Sequence, residues 1–425
     1  MCDLFSNGCF RYVPPVSASS FRHNHYVPEW YQRRFLTRGS GKFHYLDLRP
    51  AVVIRDGHSY RRNDLLRWGP PRCFAHEDLY TVKFGDQTNV DIERYFFGEV
   101  DSKGRHAVDF FAKFEIRDGI HEAFTDLIRY MSVQKLRTPK GLGWLASLAR
   151  TRHRPSILVL LQQIQSIHGA HWTDAIWQIA DATQSPTKFI ISDHPVTVYN
   201  RKCFPASDHC RGFHDPDIRC AGTHTIFPLS LDKVLILTNL AWVRNPYQNE
   251  LTMSPNPDLF HSTMFNFTDI QQGRSLSEEE VLQINYVVKM RAYRYVASAE
   301  REWLFPEQQL PSTHWSKFGN GYLLMPDPRD VHMGGEIYVG YKDGSSEAYN
   351  EYGHRPWEKE FKNERRHAKE SRGLRKFQAE FASLYGPEQR GWSHKFNREG
   401  PRSYSREYHE HLLEDATRFG FRRGR

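Results

Sequence analysis

The 425-residue sequence lacks the long apolar run that a membrane-spanning helix requires. Its longest purely aliphatic stretch covers residues 157–161, whereas a spanning helix needs roughly 20 apolar residues. The first twenty residues also lack the continuous apolar segment of a secretory signal, because Asp3, Asn7 and two adjacent prolines interrupt them. We therefore expect a cytoplasmic protein that makes no membrane contact.

Cysteine is scarce, and the familiar catalytic signatures are missing. Six cysteines in a chain of this length do not form the dense framework of a disulfide-stabilised protein, so a reducing compartment is expected. The sequence contains no Walker phosphate loop, no spaced-glycine dinucleotide fingerprint, no His-Glu-x-x-His zinc helix and no nucleophile-elbow serine. Nucleotide-driven and dinucleotide-dependent chemistries have no motif support, and the sequence leaves open whether the protein is an enzyme.

Basic residues outnumber acidic ones. The chain has 58 Lys and Arg against 50 Asp and Glu, which gives a formal net charge of +8 and an isoelectric point near 9.0. A basic surface favours contact with polyanions, so nucleic acid is a candidate partner. Many ordinary basic proteins share this balance, however, and the sequence carries no signal for an oligomeric state.

The apolar patterns predict an α+β fold with a central mixed sheet and amphipathic helices. Residues 41–48 alternate bulky and polar side chains after a Gly-Ser-Gly turn, as half-buried strands do. Residues 223–228 and 234–238 are typical of buried strands. From Asp118, apolar residues recur on one helical face until the pattern ends before Pro139, which predicts a helix.

Two further segments extend this prediction. Ser277 and Glu280 form a capping-box signature, so a helix is expected to begin there. A helical pair is expected after Pro155, with a break near Gly169 and a second helix over residues 172–182. The fold would then alternate helices with short strands.

The chain divides into three segments. Residues 1–21 form an N-terminal extension, residues 22–306 a core domain, and residues 307–425 a basic C-terminal extension, because the sequence changes character beyond residue 306. Within that extension, residues 335–349 are typical of a hairpin that turns at Asp343-Gly344, and residues 358–383 form a densely charged helical stretch.

Several short motifs stand in a fixed order along the core domain. They are His23-Asn24-His25-Tyr26-Val27-Pro28 with Tyr31, Arg33 or Arg34, and Phe35, then Arg137-Thr138-Pro139, Ser192-Asp193-His194-Pro195-Val196, Pro228-Leu229-Ser230, and Asn285. In this order they resemble the landmarks of a widespread family of unknown function, over about residues 22 to 305. The resemblance implies one domain and carries no activity with it. The sequence departs from the family pattern at Gln32 and His194.

Two histidines and one aspartate are the candidate catalytic residues. His23 and His25 are two positions apart, so on a strand both imidazoles project to one face and can share an ion or a phosphate. Asp193 precedes a His-Pro bend at a strand end, where α/β sites assemble. Together they suggest phosphodiester hydrolysis, with a divalent metal as candidate cofactor. The alternatives are a hydrogen-bonded core pair for the histidines and a local turn cap for Asp193.

Arg34 and Arg137 are candidate phosphate ligands, because a guanidinium makes forked contacts with phosphate oxygens. The alternative for Arg137 is a favourable interaction with the carboxyl end of its helix. A different candidate is a zinc site that contains Cys210, His214, Cys220 and His224, which supply two thiols and two imidazoles. The gap between its two pairs is unusually short, so a plain surface loop is the competing interpretation.

A non-catalytic binding module is the rival to the hydrolase. In that hypothesis the same motifs fix the fold, and the basic extension over residues 307–425 recruits nucleic acid or protein. Deletion of the extension would then abolish partner binding and leave the core folded.

Overall fold

The structure is a computed structural model, and it describes residues 23–56, 58–80, 82–84, 87–89, 92–253, 265–334, 336–350, 354–394 and 404–421. Among the helices in these ranges, none combines the length and the apolar character needed to cross a membrane. The predicted N-terminal extension, residues 1–21, lies outside the described residues.

The strands are β1 (His23–His25), β2 (Phe43–Asp47), β3 (Val52–Arg55), β4 (His58–Arg61), β5 (Leu65–Trp68), β6 (Ala75–Glu77), β7 (Val82–Phe84), β8 (Gln87–Asn89), β9 (Ala175–Asp181), β10 (Ile191–Ser192), β11 (Thr197–Asn200), β12 (Thr223–Pro228), β13 (Lys233–Asn239), β14 (Gln271–Ser275), β15 (Tyr295–Ser298), β16 (Glu336–Gly340) and β17 (Ser346–Asn350). The helices are α1 (Glu29–Gln32), α2 (Gly98–Ala112), α3 (Ile120–Arg137), α4 (Pro139–Leu148), α5 (Arg154–Thr173), α6 (Leu240–Arg244), α7 (Glu278–Arg291), α8 (Glu364–Tyr385) and α9 (Arg406–Arg418).

Two sheets form the centre of the fold. The larger has the strand order β11-β12-β13-β9-β14, in which β14 runs parallel to β9 and the other pairs are antiparallel. The smaller has the order β10-β15-β2-β5 and is antiparallel throughout. All six residues of β12 are buried, as expected for a strand covered on both faces. The mixed larger sheet, the antiparallel smaller sheet and the helices around them confirm the α+β class.

Helix α3 packs its apolar face against the larger sheet. Phe124, Leu127 and Met131 are fully buried, and the ring centre of Phe124 lies 5.1 Å from that of Trp177 on β9. The helix ends where Pro139 follows, because the residue before a proline is disfavoured in the helical conformation. The helix expected from Asp118 is confirmed.

The helix expected over residues 172–182 is wrong, and so is the break near Gly169. Helix α5 continues through Gly169 to Thr173, and β9 follows. A Cβ at position 169 would lie 2.5 Å from a methyl group of Ile128 on α3, so glycine permits close helix packing there. β9 is central in its sheet, and its pairing with two neighbours outweighs the local helical pattern.

The C-terminal extension packs directly on the core domain. Buried residues on both sides of position 306 share one apolar cluster, which includes Leu304, Trp315 and Phe318. A second cluster joins Phe377 of α8 to Trp242 of α6. Core and extension therefore share apolar packing.

The hairpin expected in the extension is confirmed by strands β16 and β17, whose turn contains Gly344 with φ +83°. The charged helical stretch corresponds to α8, which begins at Glu364. Gly373 of α8 allows close approach to α6, because a Cβ there would lie 2.8 Å from the carbonyl oxygen of Arg244.

A later segment of the extension reaches the edge of the larger sheet. The backbone N–H groups of Gln272 and Trp392 each donate to the other's carbonyl oxygen at 2.9 Å. The indole of Trp392 occupies the space beside Gly273, where a Cβ would lie 2.1 Å from its Nε1. Gly273 has φ +80°, which also favours glycine. Strand β14 is thus covered at this point by residue 392.

Candidate functional site

A cavity of about 710 Å³ opens between helices α3, α4 and α5 and the loop over residues 203–220. Its wall combines apolar side chains with lysines, histidines and aspartates. Ligand pockets of small molecules typically have volumes of about 300–1,000 Å³ and a few convergent polar groups. This cavity is therefore the candidate site.

Two lysines and one aspartate form the polar floor of the cavity. Lys135 donates to the Asp215 carboxylate at 2.9 Å, and Lys140 donates to the other carboxylate oxygen of the same residue. All three side chains are almost buried. Burial by itself would raise the pKa of Asp215, but the two ammonium groups hold this pKa well below its usual value. The floor therefore sets two lysine amino groups against one carboxylate, and burial lowers the pKa of Lys135 from its usual value.

The donors of the two lysines are used unequally. Besides Asp215, Lys135 approaches His194 and the carbonyl oxygen of Val196, each at 3.4 Å. Lys140 donates to the carbonyl oxygen of Arg291 at 2.9 Å. An ammonium group has three N–H donors. One donor of Lys140 thus has no hydrogen-bond partner among the described residues.

His194 links the lysine cluster to the start of helix α4. Its Nε2 lies 3.1 Å from an Asp215 oxygen, and its Nδ1 lies 2.7 Å from the Thr138 hydroxyl. Thr138 caps α4 by accepting from the N–H of Gly141, and Pro139 occupies the first turn. Burial, and then the charge of Lys135, lower the pKa of His194 to about 4. This imidazole is therefore neutral near pH 7.

Two more histidines line the cavity from helix α5. His168 and His171 are both buried, and burial is the main cause of their lowered pKa values. The pKa of His168 falls to about 3. Its Nδ1 has no hydrogen-bond partner within the described ranges. Nearby, Arg219 donates through Nη2 to the Asp217 carboxylate at 2.6 Å. Both imidazoles are thus neutral near pH 7, and the Nδ1 of His168 is sealed from solvent.

The remaining wall is apolar and aromatic. Trp144 of α4 and Ile164 of α5 face the cavity, together with Phe213 of the loop. The ring of Phe213 packs closely on Gly143, where a Cβ would lie 2.5 Å from it, and stacks on Tyr293 at 5.6 Å between ring centres. This wall suits the organic part of a charged ligand.

Asp193 precedes His194, which lines the cavity, but Asp193 itself does not line it. Its carboxylate is buried and accepts three backbone N–H groups, from Tyr293 at 2.8 Å, Arg294 at 2.7 Å and Tyr295 at 2.9 Å. Burial raises its pKa to about 6, against the opposite effect of these donors. This carboxylate thus fixes distant backbone, and its donors differ from those of the local turn cap that was the alternative interpretation.

The two predicted histidines lie on β1, as expected, and away from the cavity lining. The side chain of His23 lies outside the described residues. The Nε2 of His25 is 3.3 Å from the carbonyl oxygen of Pro71 and 3.8 Å from a carboxylate oxygen of Glu29. The structure thus does not bring His25 and Asp193 together at the cavity, and a shared catalytic or metal site for them has no support.

Both predicted phosphate ligands are bound to groups of the protein itself. Arg137 is 1% exposed and donates to the two Asp101 oxygens at 2.7 and 3.0 Å, and it also donates to Gln134. Arg34 donates to the carbonyl oxygen of Leu229 at 2.6 Å and pairs with Asp109. Both guanidinium groups are thus bound by groups of the protein, and neither arginine lines the cavity.

The four residues of the zinc candidate do not converge. His224 lies on β12 with its Nδ1 3.0 Å from the Thr238 hydroxyl, and the thiol of Cys220 contacts the sulfur of Met253. Cys210 and His214 remain in the loop. Within the described part of the chain, no three His, Cys, Asp or Glu side chains are grouped to hold a metal ion. Cys210 and Cys220 are buried and His224 lies on a buried strand, so the loop does not lie wholly at the surface either.

Comparison with known proteins identifies a family. The family model described as Protein of unknown function (DUF4238) matches residues 23–302. The chain belongs to this family. No curated protein and no solved structure matches the chain. The DUF4238 match confirms the resemblance seen in the ordered motifs, and it assigns no activity.

Several DUF4238 landmarks hold distant segments together. The Tyr31 hydroxyl donates to the carbonyl oxygen of Pro228 at 2.6 Å, and Arg34 donates to the next residue. The Asn285 side chain accepts from the N–H of Ile190 and donates to the carbonyl oxygen of Lys188. These landmarks therefore stabilise the family fold.

The sequence patterns did not single out Lys135, Lys140 and Asp215 as site residues. Lys135 follows Phe124, Leu127 and Met131 on the buried face of α3, and a lysine in such an apolar stripe is the one local signal. Asp215 lies in an irregular loop and carries no signal. His194, already noted as a departure from the family pattern, contacts Asp215.

Proposed function

We propose that the cavity binds the phosphate group of a small phosphate ester and that the protein hydrolyses it. The observation that carries this proposal is the buried cluster of Lys135, Lys140 and Asp215, in which Lys140 keeps one unused donor. An anionic oxygen placed there completes the hydrogen bonds of Lys140 and balances the second ammonium charge. In a site that excludes water, such charge-assisted contacts are stronger than at the surface.

The histidines supply the proton transfers that ester hydrolysis needs. Attack by water forms a new bond from oxygen to phosphorus, breaks the ester bond, and moves one proton from the water to the departing oxygen. His171 lines the cavity, and burial lowers its pKa below that of a free imidazole, so it is neutral at ordinary pH and is our candidate general base. His214 is exposed and lines the cavity, so it is our candidate acid.

In this proposal the hydrolase site is the cavity and contains none of the residues His23, His25 and Asp193. Phosphodiesters, including those of nucleotides, remain the leading substrates, because the aromatic wall with Trp144 suits a planar group. We place the protein in the cytoplasm in this proposal, because the reducing conditions there would keep its buried, unpaired thiols reduced. Its chemistry uses no metal ligand.

The test is hydrolysis of bis(p-nitrophenyl) phosphate and of p-nitrophenyl phosphate by the full chain, with EDTA and with added Mg²⁺ or Mn²⁺. Lys140→Met should lower kcat/KM by about 100-fold or more, as loss of a preorganised charge at a reacting oxygen does. Lys140→Arg should retain part of the activity. Strong activation by a metal would support the divalent-metal hypothesis instead.

Lys289→Met is the matched control. Lys289 is also largely buried and also donates to a backbone carbonyl, that of Leu304 at 2.7 Å, and to a carboxylate, that of Glu307 at 2.7 Å. It does not line the cavity. If both methionine variants lose activity equally, or if folded Lys140→Met cleaves like the wild type, the proposed site is refuted. Phosphate binding without turnover of either ester would favour a binding module.

A further inference from the structure

Helix α8 presents a row of basic side chains away from the core. Arg365, Lys369, Arg372 and Lys376 follow at spacings of four, three and four residues, which puts them on one helical face. Lys376, at the end of the row, is half-buried, and its amino group lies 4.1 Å from the Tyr247 ring centre. At 1.5 Å per residue the row is roughly 16 Å long. Phe377, by contrast, packs into the core.

The charges of this row are not neutralised by the protein. Arg365, Lys369 and Arg372 are exposed, and in the part of the chain that the structure describes none of the three has an ion-pair partner. The neighbouring Arg366 differs, since it donates to Glu370 at 2.8 Å within the same helix. The row therefore attracts anions, and its regular spacing suits a repeating anion better than a single one.

Exposed aromatic rings lie in the segment that leads into α8 and on the hairpin before it. Trp357 is 78% exposed, and Tyr338 on β16 is 69% exposed. The hairpin containing Tyr338 is joined to this segment, because the Asn350 side chain donates to the carbonyl oxygen of Phe361 at 3.2 Å. The guanidinium carbon of Arg355 lies 5.6 Å from the Trp357 ring centre. Cations beside exposed rings are the recurrent composition of surfaces that bind single-stranded nucleic acid.

We propose that this surface of the extension binds single-stranded nucleic acid, with Arg365, Lys369 and Arg372 on the phosphates and Trp357 and Tyr338 stacked on bases. A single strand fits better than a duplex, because only unpaired bases expose their faces to aromatic rings. The surface shares no residue with the cavity, so this interaction is independent of the proposed hydrolysis.

The experiment is fluorescence anisotropy of the full chain with labelled oligo(U), oligo(dT) and a duplex, each of about 20 nucleotides, between about 50 and 200 mM salt. The wild type should bind both single strands more tightly than the duplex. The triple variant Arg365→Gln, Lys369→Gln and Arg372→Gln should bind more weakly, and its slope of log affinity against log salt should shrink by about 2, since each lost phosphate contact accounts for about 0.7.

The matched control is Arg105→Gln, Lys113→Gln and Arg152→Gln, which removes the same charge from exposed positions elsewhere. Trp357→Ala should lower affinity by about tenfold with an unchanged salt slope, as loss of a stacked base does. The proposal is overturned if the two triple variants behave alike, if the duplex binds best, or if anionic phospholipid vesicles bind through α8 while the oligonucleotides do not.

Discussion

Replacement of Asp193 tests whether this carboxylate is structural, as its contacts indicate, or catalytic. In Asp193→Ala three partly buried backbone N–H groups, those of residues 293, 294 and 295, lose their acceptor. A fully buried donor left unpaired costs about 1–3 kcal/mol, and partial access of water and relaxation reduce the sum. We expect the free energy of unfolding to fall by about 3–5 kcal/mol, a large part of a typical total of about 5–15 kcal/mol.

Asp193→Asn should be milder. One carboxylate oxygen accepts from both Arg294 and Tyr295, while the other accepts from Tyr293. An asparagine oxygen can keep the first two contacts, but its amide then faces the N–H of Tyr293. The expected loss is about 1–3 kcal/mol, for one unpaired donor and the lost charge.

Urea-induced unfolding, followed by circular dichroism, measures both losses, provided that the denaturant slopes match. Asp208→Ala is the control, because this aspartate has an 82% exposed side chain, and surface substitutions usually change stability by less than about 0.5 kcal/mol. If both Asp193 variants are as stable as the wild type and only ester hydrolysis is lost, the structural role is refuted and the catalytic one regains support.

Three other predictions follow from buried groups. Arg137→Met should lower the free energy of unfolding by about 3 kcal/mol, because Asp101 loses its partner, yet leave phosphate affinity unchanged in calorimetry. Burial lowers the pKa of His224 to about 3. As the pH falls below about 6.5, the unfolded chain therefore binds a proton at this residue that the folded chain does not bind, and the free energy of unfolding decreases. In urea titrations, His224→Asn should reduce this decrease by about 1.4 kcal/mol per pH unit. Gly373→Ala should cost about 1–3 kcal/mol in thermal unfolding, since its Cβ would press on α6, whereas Gly41→Ala, with open space around it, should be neutral. These expectations would be contradicted if Gly373→Ala and Gly41→Ala had equal effects, or if His224→Asn lost stability with falling pH as steeply as the wild type does.

Local chemistry made much of the fold predictable. The capping box at Ser277 is formed as expected, since the Glu280 N–H donates to the Ser277 hydroxyl and the Glu280 carboxylate accepts the Ser277 N–H. Strands over residues 223–228 and 233–239 likewise follow from short apolar runs. Strand β9 was not predictable, because its identity depends on two partner strands rather than on its own residues.

The candidate site was harder to predict than the fold. Asp193 stands near a strand end, as expected, but its donors lie about one hundred residues further along the chain, and no local pattern announces them. The cavity floor depends on a loop aspartate, Asp215, that meets two helical lysines. Tertiary packing brings these side chains together, and the only local sign of the site was Lys135 in the apolar stripe of α3.

The backbone pairing between Gln272 and Trp392 bears on the tendency of the chain to self-associate. Strand β14 is an outer strand, and outer strands with open hydrogen-bonding groups invite pairing with other chains. Residue 392 occupies those groups at Gln272, while its indole covers Gly273. A variant shortened before residue 387 would therefore be prone to self-association and precipitation, which makes the distal part of the extension a built-in safeguard against aggregation.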